Sequence, residues 1–160
     1  MKKVLFVCMG NICRSPSAEA VFKKLVKDEG LDDKIEVDSC GTIDYHTGEP
    51  SDKRMQQHAV KRGYVLDHSA RQFDPHLDFM KSDYIITMDN ENYYDVINLD
   101  PQNKFRDKVF KMFQFAGKIK FNEVPDPYYK GPAGFEEVLD ILEDSCKVLL
   151  EKIKDDLDKQ

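Results

Sequence analysis

An unbroken apolar run at residues 4–7, Val-Leu-Phe-Val, leads through Cys8 into a short loop that ends at Arg14, just ahead of a proline-led helical pattern. No other feature constrains the fold as much. A short apolar run without polar alternation is the pattern of a strand covered on both faces, as in parallel sheets. Pro16 suits the first turn of a helix, and Ala18, Val21, Phe22 and Leu25 follow at i, i+3, i+4, i+7 spacing, which lays one apolar stripe against a sheet. Gly30 ends that helix. A strand that enters a helix through a tight loop also builds an anion site, because loop amides and the positive end of the helix dipole converge there.

The same reading extends along the chain. Residues 35–40 alternate as a second strand, 41–50 form a polar loop with Gly41, Gly48 and Pro50 as breakers, and Ser51 is placed to cap a helix that carries Met55, Ala59 and Val60 and stops near Gly63. Residues 83–88 are β-branched and apolar, a third strand followed by a short helix at 90–98; 108–112 is a weaker fourth strand. A last helix is predicted from about 135 to 157, with 151–160 as its frayed, solvated end. Strands alternating with helices predict one α/β domain over 1–160, ordered from about 2 to 157, with ligands at the carboxyl ends of the strands.

Composition narrows the function. At 160 residues and 41% hydrophobic, the chain suffices for one core. Its 24 Lys+Arg against 30 Asp+Glu give a net charge of -6, which argues against nucleic acid or an anionic membrane as partner. The basic start and the apolar run behind it are too short for a signal segment, and no membrane-spanning segment is expected. Four irregularly spaced cysteines are not a secreted disulfide framework, so a reducing cytoplasm is expected. Cys8 and Cys13 lack further ligands at metal-site spacing, and neither metal nor cofactor is expected.

Cys8 and Arg14 are the candidate chemical pair. A cysteine at a helix N-terminus beside an arginine is favoured as the nucleophilic thiolate. The planar fork of Arg14 matches two oxygens of a phosphoryl group, and Ser15 is placed to hydrogen-bond the sulfur. A general acid has to come from another loop. Asp126, stiffened by Pro125 and Pro127 and flanked by Tyr128 and Tyr129, meets that need. From these residues alone, Cys8 as a buried strand-end cysteine and Asp126 as a turn former remain open.

The run Cys8-Met9-Gly10-Asn11-Ile12-Cys13-Arg14-Ser15-Pro16, followed by Ala18-Glu19-Ala20, resembles the signature of the low-molecular-weight protein tyrosine phosphatases. Asp126-Pro127-Tyr128-Tyr129 resembles their acid loop. Val37-Asp38-Ser39, His68, Ala70-Arg71-Gln72, Tyr84-Ile85-Ile86 and Met88-Asp89 fall in the family's order, so the resemblance spans nearly the whole chain. It implies a flavodoxin-like fold of the phosphotyrosine protein phosphatase I type, with a four-stranded parallel sheet flanked by helices on both faces. It also implies a metal-free reaction through a phosphocysteine, in which Cys8 attacks, Arg14 binds phosphate, and Asp126 serves as acid and then base.

By the same resemblance, Met9, Gly10, Asn11, Ile12, Cys13 and Ser15 form the phosphate-binding loop. Asn11 with Ser39 and His68 holds its backbone, and Gly10 and Asn11 suit positive φ; His68 as a plain core histidine stays open. Tyr45, Tyr128 and Tyr129 line the substrate pocket, and an exposed loop position is the alternative for Tyr45. Cys13 either packs the loop or, as the family suggests, closes a disulfide onto Cys8 under oxidants. The implied substrates are phosphotyrosine proteins or aryl phosphates, and a monomer is expected. A thiol-dependent arsenate reductase of this fold needs relay cysteines, absent mid-chain here; a protein-arginine phosphatase has threonine where Ile12 stands. A silent phosphotyrosine-binding module has no use for Cys8 and Asp126 together.

Overall fold

The 4–8 run is buried throughout, and its side chains divide between two cores: Val4, Phe6 and Cys8 face one, Leu5 and Val7 the other. The structure, a computed structural model, describes residues 1–128 and 130–159. In it this run is β1 (Lys2–Cys8), paired in parallel with β2 (Ile35–Gly41) on one side and β3 (Tyr84–Thr87) on the other, while β4 (Val109–Lys111) extends β3. The spatial order β2-β1-β3-β4 is a four-stranded parallel sheet, the single-domain flavodoxin-like α/β arrangement expected from the sequence.

Helices cover both faces. The core under Val4 and Phe6 receives α1 (Arg14–Asp28), α2 (Lys53–Val60) and the long α5 (Pro132–Asp158), through Val21, Phe22, Met55, Val138, Leu142 and Leu149 among others. The core under Leu5 and Val7 receives α3 (Asp78–Lys81) and α4 (Asn90–Ile97), through Phe79, Val96 and Ile97. Helix α1 stops where Gly30 takes φ +68°, a left-handed turn that lets the 30 and 31 amides bond back to Lys27 and Val26 carbonyls.

The structure departs from the expectations at four places. Asp52, not Ser51, caps α2, its carboxylate accepting from Arg54 N and Met55 N; the carboxylate sits one residue nearer the first free amides, and the Ser51 hydroxyl is buried without a partner among the described residues. The charged tail is not frayed. Helix α5 runs to Asp158 because Ile153 is fully buried, the Tyr84 hydroxyl donates to Asp156, and Lys154 pairs with Glu29. Helix α3 has no counterpart in the sequence reading: four residues are too few to show a helical period. The fourth strand is shorter than expected, bounded by 3-10 turns at Arg106–Lys108 and Met112–Phe115.

Candidate active site

Cys8 closes β1 and Arg14 opens α1, so the loop between them lies at the carboxyl end of the central strand. Asn11 is its hub. It takes φ +59°, a conformation asparagine tolerates better than most residues. Arg71 N–H donates to Asn11 Oδ1 at 3.0 Å, which fixes the orientation of the amide. His68 Nε2 is therefore the donor in its 2.8 Å contact with the same oxygen, and Asn11 Nδ2 donates to Ser15 Oγ at 2.7 Å and Ser39 Oγ at 3.0 Å. The Ser39 hydroxyl donates in turn to Glu19 Oε1 at 2.7 Å. Because Ser15 accepts from Asn11, its hydroxyl proton is left for Cys40 O or for Cys8 Sγ, which lies 3.0 Å away. Asn11 N–H also points at that sulfur, at 3.3 Å.

Gly10 does not share the positive φ expected of it; among the loop residues only Asn11 adopts one. The stricter requirement for glycine is at Gly41, where β2 ends: a Cβ there would stand 2.5 Å from Met9 O. Gly41 N–H bonds to Arg71 O and Phe73 N–H to Gly41 O, so the 68–73 segment runs beside the end of β2 and delivers His68 and Arg71 to the loop.

Arg14 is almost fully buried. Its Nη1 donates to Asp89 Oδ2 at 2.6 Å and to Val124 O at 3.2 Å. Burial works against its charge, yet Cys8 and Asp89 together hold its pKa above the ordinary guanidinium value. Asp89 also caps α4 through Asn92 N–H. Burial likewise pushes the Cys13 thiol up, with Asp52 and Cys8 adding to the effect, and all four cysteines are free and buried.

The 8–14 loop floors a pocket of about 280 Å³, and Tyr45, His46, Asp126 and Tyr128 supply the rest of its lining. Asp126 is exposed, its Oδ1 accepting from Tyr128 N–H at 3.0 Å. Tyr45 is 79% exposed and meets His46 edge-on at 4.8 Å. Thus the structure gathers Cys8, Met9, Gly10, Asn11, Ile12, Cys13, Arg14, Tyr45, Asp126 and Tyr128 around one cavity, with Ser15, Ser39 and His68 behind the loop; Tyr129 lies outside the described residues.

Sequence reasoning gave no part in the site to Glu19, Asp38, Gly41, His46, Arg71 or Asp89, and read Gly41, which ends β2, only as a loop breaker. Glu19, Asp38 and His68 bring one ligand atom each within 4.8 Å of one another, but Glu19 is already bonded to Ser39 and Lys23, and His68 to Asn11. Arg71 ties Asp38 to Asp78 and carries the backbone amide that Asn11 accepts. A hydrogen-bond role of this kind leaves no spacing signal in a single sequence.

The sequence matches the profile of the low molecular weight phosphotyrosine protein phosphatases over residues 3–159. It is 46% identical to the Synechocystis protein slr0328, assigned as a low molecular weight protein-tyrosine-phosphatase, over 97% of this chain and 98% of that protein. Among solved structures, a protein tyrosine phosphatase from Entamoeba histolytica with Hepes in the active site superposes with a TM-score of 0.94 at 47% identity, covering 97% of this chain and 98% of that one. A Drosophila arginine phosphatase superposes at 0.87 with 32% identity, covering 96% and 97%. With its loop, its sheet and nearly its whole length in common with these proteins, the chain belongs to the low molecular weight phosphotyrosine protein phosphatase family.

Proposed function

We propose that the protein hydrolyses phosphotyrosine through a phosphocysteine. The observation that carries this reading is the common cavity of Cys8, Arg14 and Asp126, with the Ser15 hydroxyl and Asn11 amide directed at the sulfur. The Cys8 thiolate attacks phosphorus, the S–P bond forms as the P–O bond to the phenol breaks, and the Asp126 carboxyl gives its proton to the leaving phenolate. Water then attacks the phosphocysteine, Asp126 takes up the proton, and the S–P bond breaks to release inorganic phosphate and the thiolate. Arg14 holds the equatorial oxygens throughout, and its pairing with Asp89 sets the plane of its fork.

Tyr45 and Tyr128 at the rim favour a flat aromatic leaving group, and a phosphoserine side chain is too short to bring its phosphorus to Cys8. The substrates are phosphotyrosine proteins or aryl phosphates, handled by a monomer in a reducing, cytoplasmic setting. No helix among the described residues is long and apolar enough to cross a membrane. Cys13, beside Cys8 in the cavity lining, closes a disulfide with it under oxidants and silences the site. The likeness to the Drosophila arginine phosphatase supports phosphoarginine as a second reading, against which Ile12 in the pocket stands.

Turnover of para-nitrophenyl phosphate and phosphotyrosine peptides without added metal tests the proposal. Cys8→Ser is expected to abolish it, and Asp126→Ala to slow poor leaving groups most. A Cys8→Ser variant with unchanged turnover sinks the mechanism, and faster hydrolysis of phosphoarginine than of phosphotyrosine transfers the substrate to the second reading.

A further inference from the structure

We propose that Arg54 is a positioning residue for the acid: it spans from the rim of the phosphate loop to the 126–128 segment and fixes where Asp126 stands. This rests on the reading of Asp126 as general acid and base.

The root of the acid loop is well held. Val124 is fully buried, its N–H bonds to Met88 O, and its carbonyl accepts from Arg14. Beyond it Asp126 is exposed, and its carboxylate accepts a hydrogen bond from Tyr128 N–H. Where Tyr128 sits therefore decides where the Asp126 oxygens sit.

Arg54 holds Tyr128 in two ways. Its Nη1 donates to Tyr128 O at 3.4 Å, and its guanidinium carbon lies 5.0 Å from the centre of the Tyr128 ring. The same carbon lies 5.0 Å from the centre of the Phe135 ring in the first turn of α5. Phe135 is buried and fixed in turn by His58, one turn further along α2, whose ring stacks on it at 5.3 Å. A guanidinium within 6 Å of two ring centres is held by cation–π attraction as well as by hydrogen bonds.

The other edge of Arg54 is anchored to the phosphate loop. Its Nε and Nη2 donate to the two Asp52 oxygens at 3.4 and 3.2 Å. Asp52 is immobilised as the cap of α2, and its own N–H donates to Ile12 O at 2.9 Å. The path Ile12, Asp52, Arg54, Tyr128, Asp126 thus joins the loop that holds phosphate to the residue that protonates the leaving group. Lysine, a point charge without a fork or a flat face, cannot make these contacts together. Arg54 is itself exposed, and exposed ion pairs add little to global stability, so what this arrangement supplies is orientation.

The test is a double-mutant cycle with Arg54→Ala and Asp126→Ala in the full chain, read as kcat/KM for phenyl phosphate and para-nitrophenyl phosphate, with thermal melts as a fold check. Displacement of a catalytic group by about 1 Å can cost roughly 100-fold; Arg54→Ala is expected to lose about 10- to 100-fold on phenyl phosphate, with a smaller loss on the better leaving group. In the Asp126→Ala background the same change is expected to cost less than about twofold, because the group it positions is gone. The inhibition constant of inorganic phosphate is expected to stay unchanged. Arg54→Lys is expected to recover less than half of the lost rate and also serves if Arg54→Ala fails to fold. Equal losses in both backgrounds, or no loss in either, overturn the proposal. If Asp126→Ala alone leaves both substrates unaffected, it is the acid assignment that fails.

Discussion

At the scale of single residues, the site depends on a few side chains that each satisfy several neighbours. Replacing Asn11 by alanine orphans Arg71 N–H and His68 Nε2 and takes away the donor that the Ser15 and Ser39 oxygens both accept from. At about 1–3 kcal/mol for each buried group left unpaired, Asn11→Ala is expected to cost at least several kcal/mol in urea denaturation and to lower kcat together with stability. Gly41→Ala forces its Cβ onto Met9 O; overpacking of this kind costs about 1–3 kcal/mol, and here it also shifts the phosphate loop, so kcat is expected to fall in a variant that still folds. For the proposed thiol switch, peroxide inactivation is expected to be reversed by dithiols in the native protein but not in Cys13→Ser, and equal recovery of both refutes it. That Cys8, Arg14 and Asp126 share one cavity was legible through the family resemblance, whereas residue type and spacing alone left Cys8 readable as a buried strand-end cysteine and Asp126 as a turn former. Glu19, Arg71 and Asp89 were not legible, because a helix carboxylate that reaches the loop through Ser39, an arginine that reaches it through its backbone amide, and an aspartate that meets Arg14 from beyond β3 each look in sequence like any surface charge.

At the scale of elements, β1, β2, β3 and the first and last helices follow from apolar periodicity, whereas the errors fall where hydrogen bonds set the boundary. Ser51 read as the cap of α2, and the structure puts Asp52 there instead. Asp144 on α5 shows the same logic: it accepts from the amides of Gly117, Lys118 and Ile119 and so pins the 117–119 turn to the helix. Burial works against its charge, but these amides hold its pKa below the ordinary carboxylate value. A carboxyl with a depressed folded-state pKa adds stability that is whole above the unfolded value of about 3.9 and disappears as pH falls through the folded one. Asp144→Asn is therefore expected to be less stable than the native protein at neutral pH, with the gap closing below about pH 3.9, as followed by thermal melts across pH.

At the scale of the molecule, one sheet and two cores hold the loop from beneath, and α5 runs the full depth of the larger core. Its burial continues to Ile153, with Leu157 packed partly against the same core. Ile153→Ala is expected to cost about 2–5 kcal/mol, and Val148→Ala, 37% exposed on the same helix, no more than about 0.5; equal, small effects on the urea midpoint refute a packed α5 terminus. The order of the sheet has a further consequence. β1 pairs with strands on both sides, and its last residue is Cys8, yet the groups that brace the 8–14 loop, Ser39, His68, Arg71 and Asp89, all come later in the chain. During synthesis the sulfur proposed as nucleophile is thus made early and sheltered late. Ribosome-stalled chains that end before β3 should lose Cys8 to a bulky maleimide far faster than the finished protein, which places the period of greatest oxidative risk in the half-made chain.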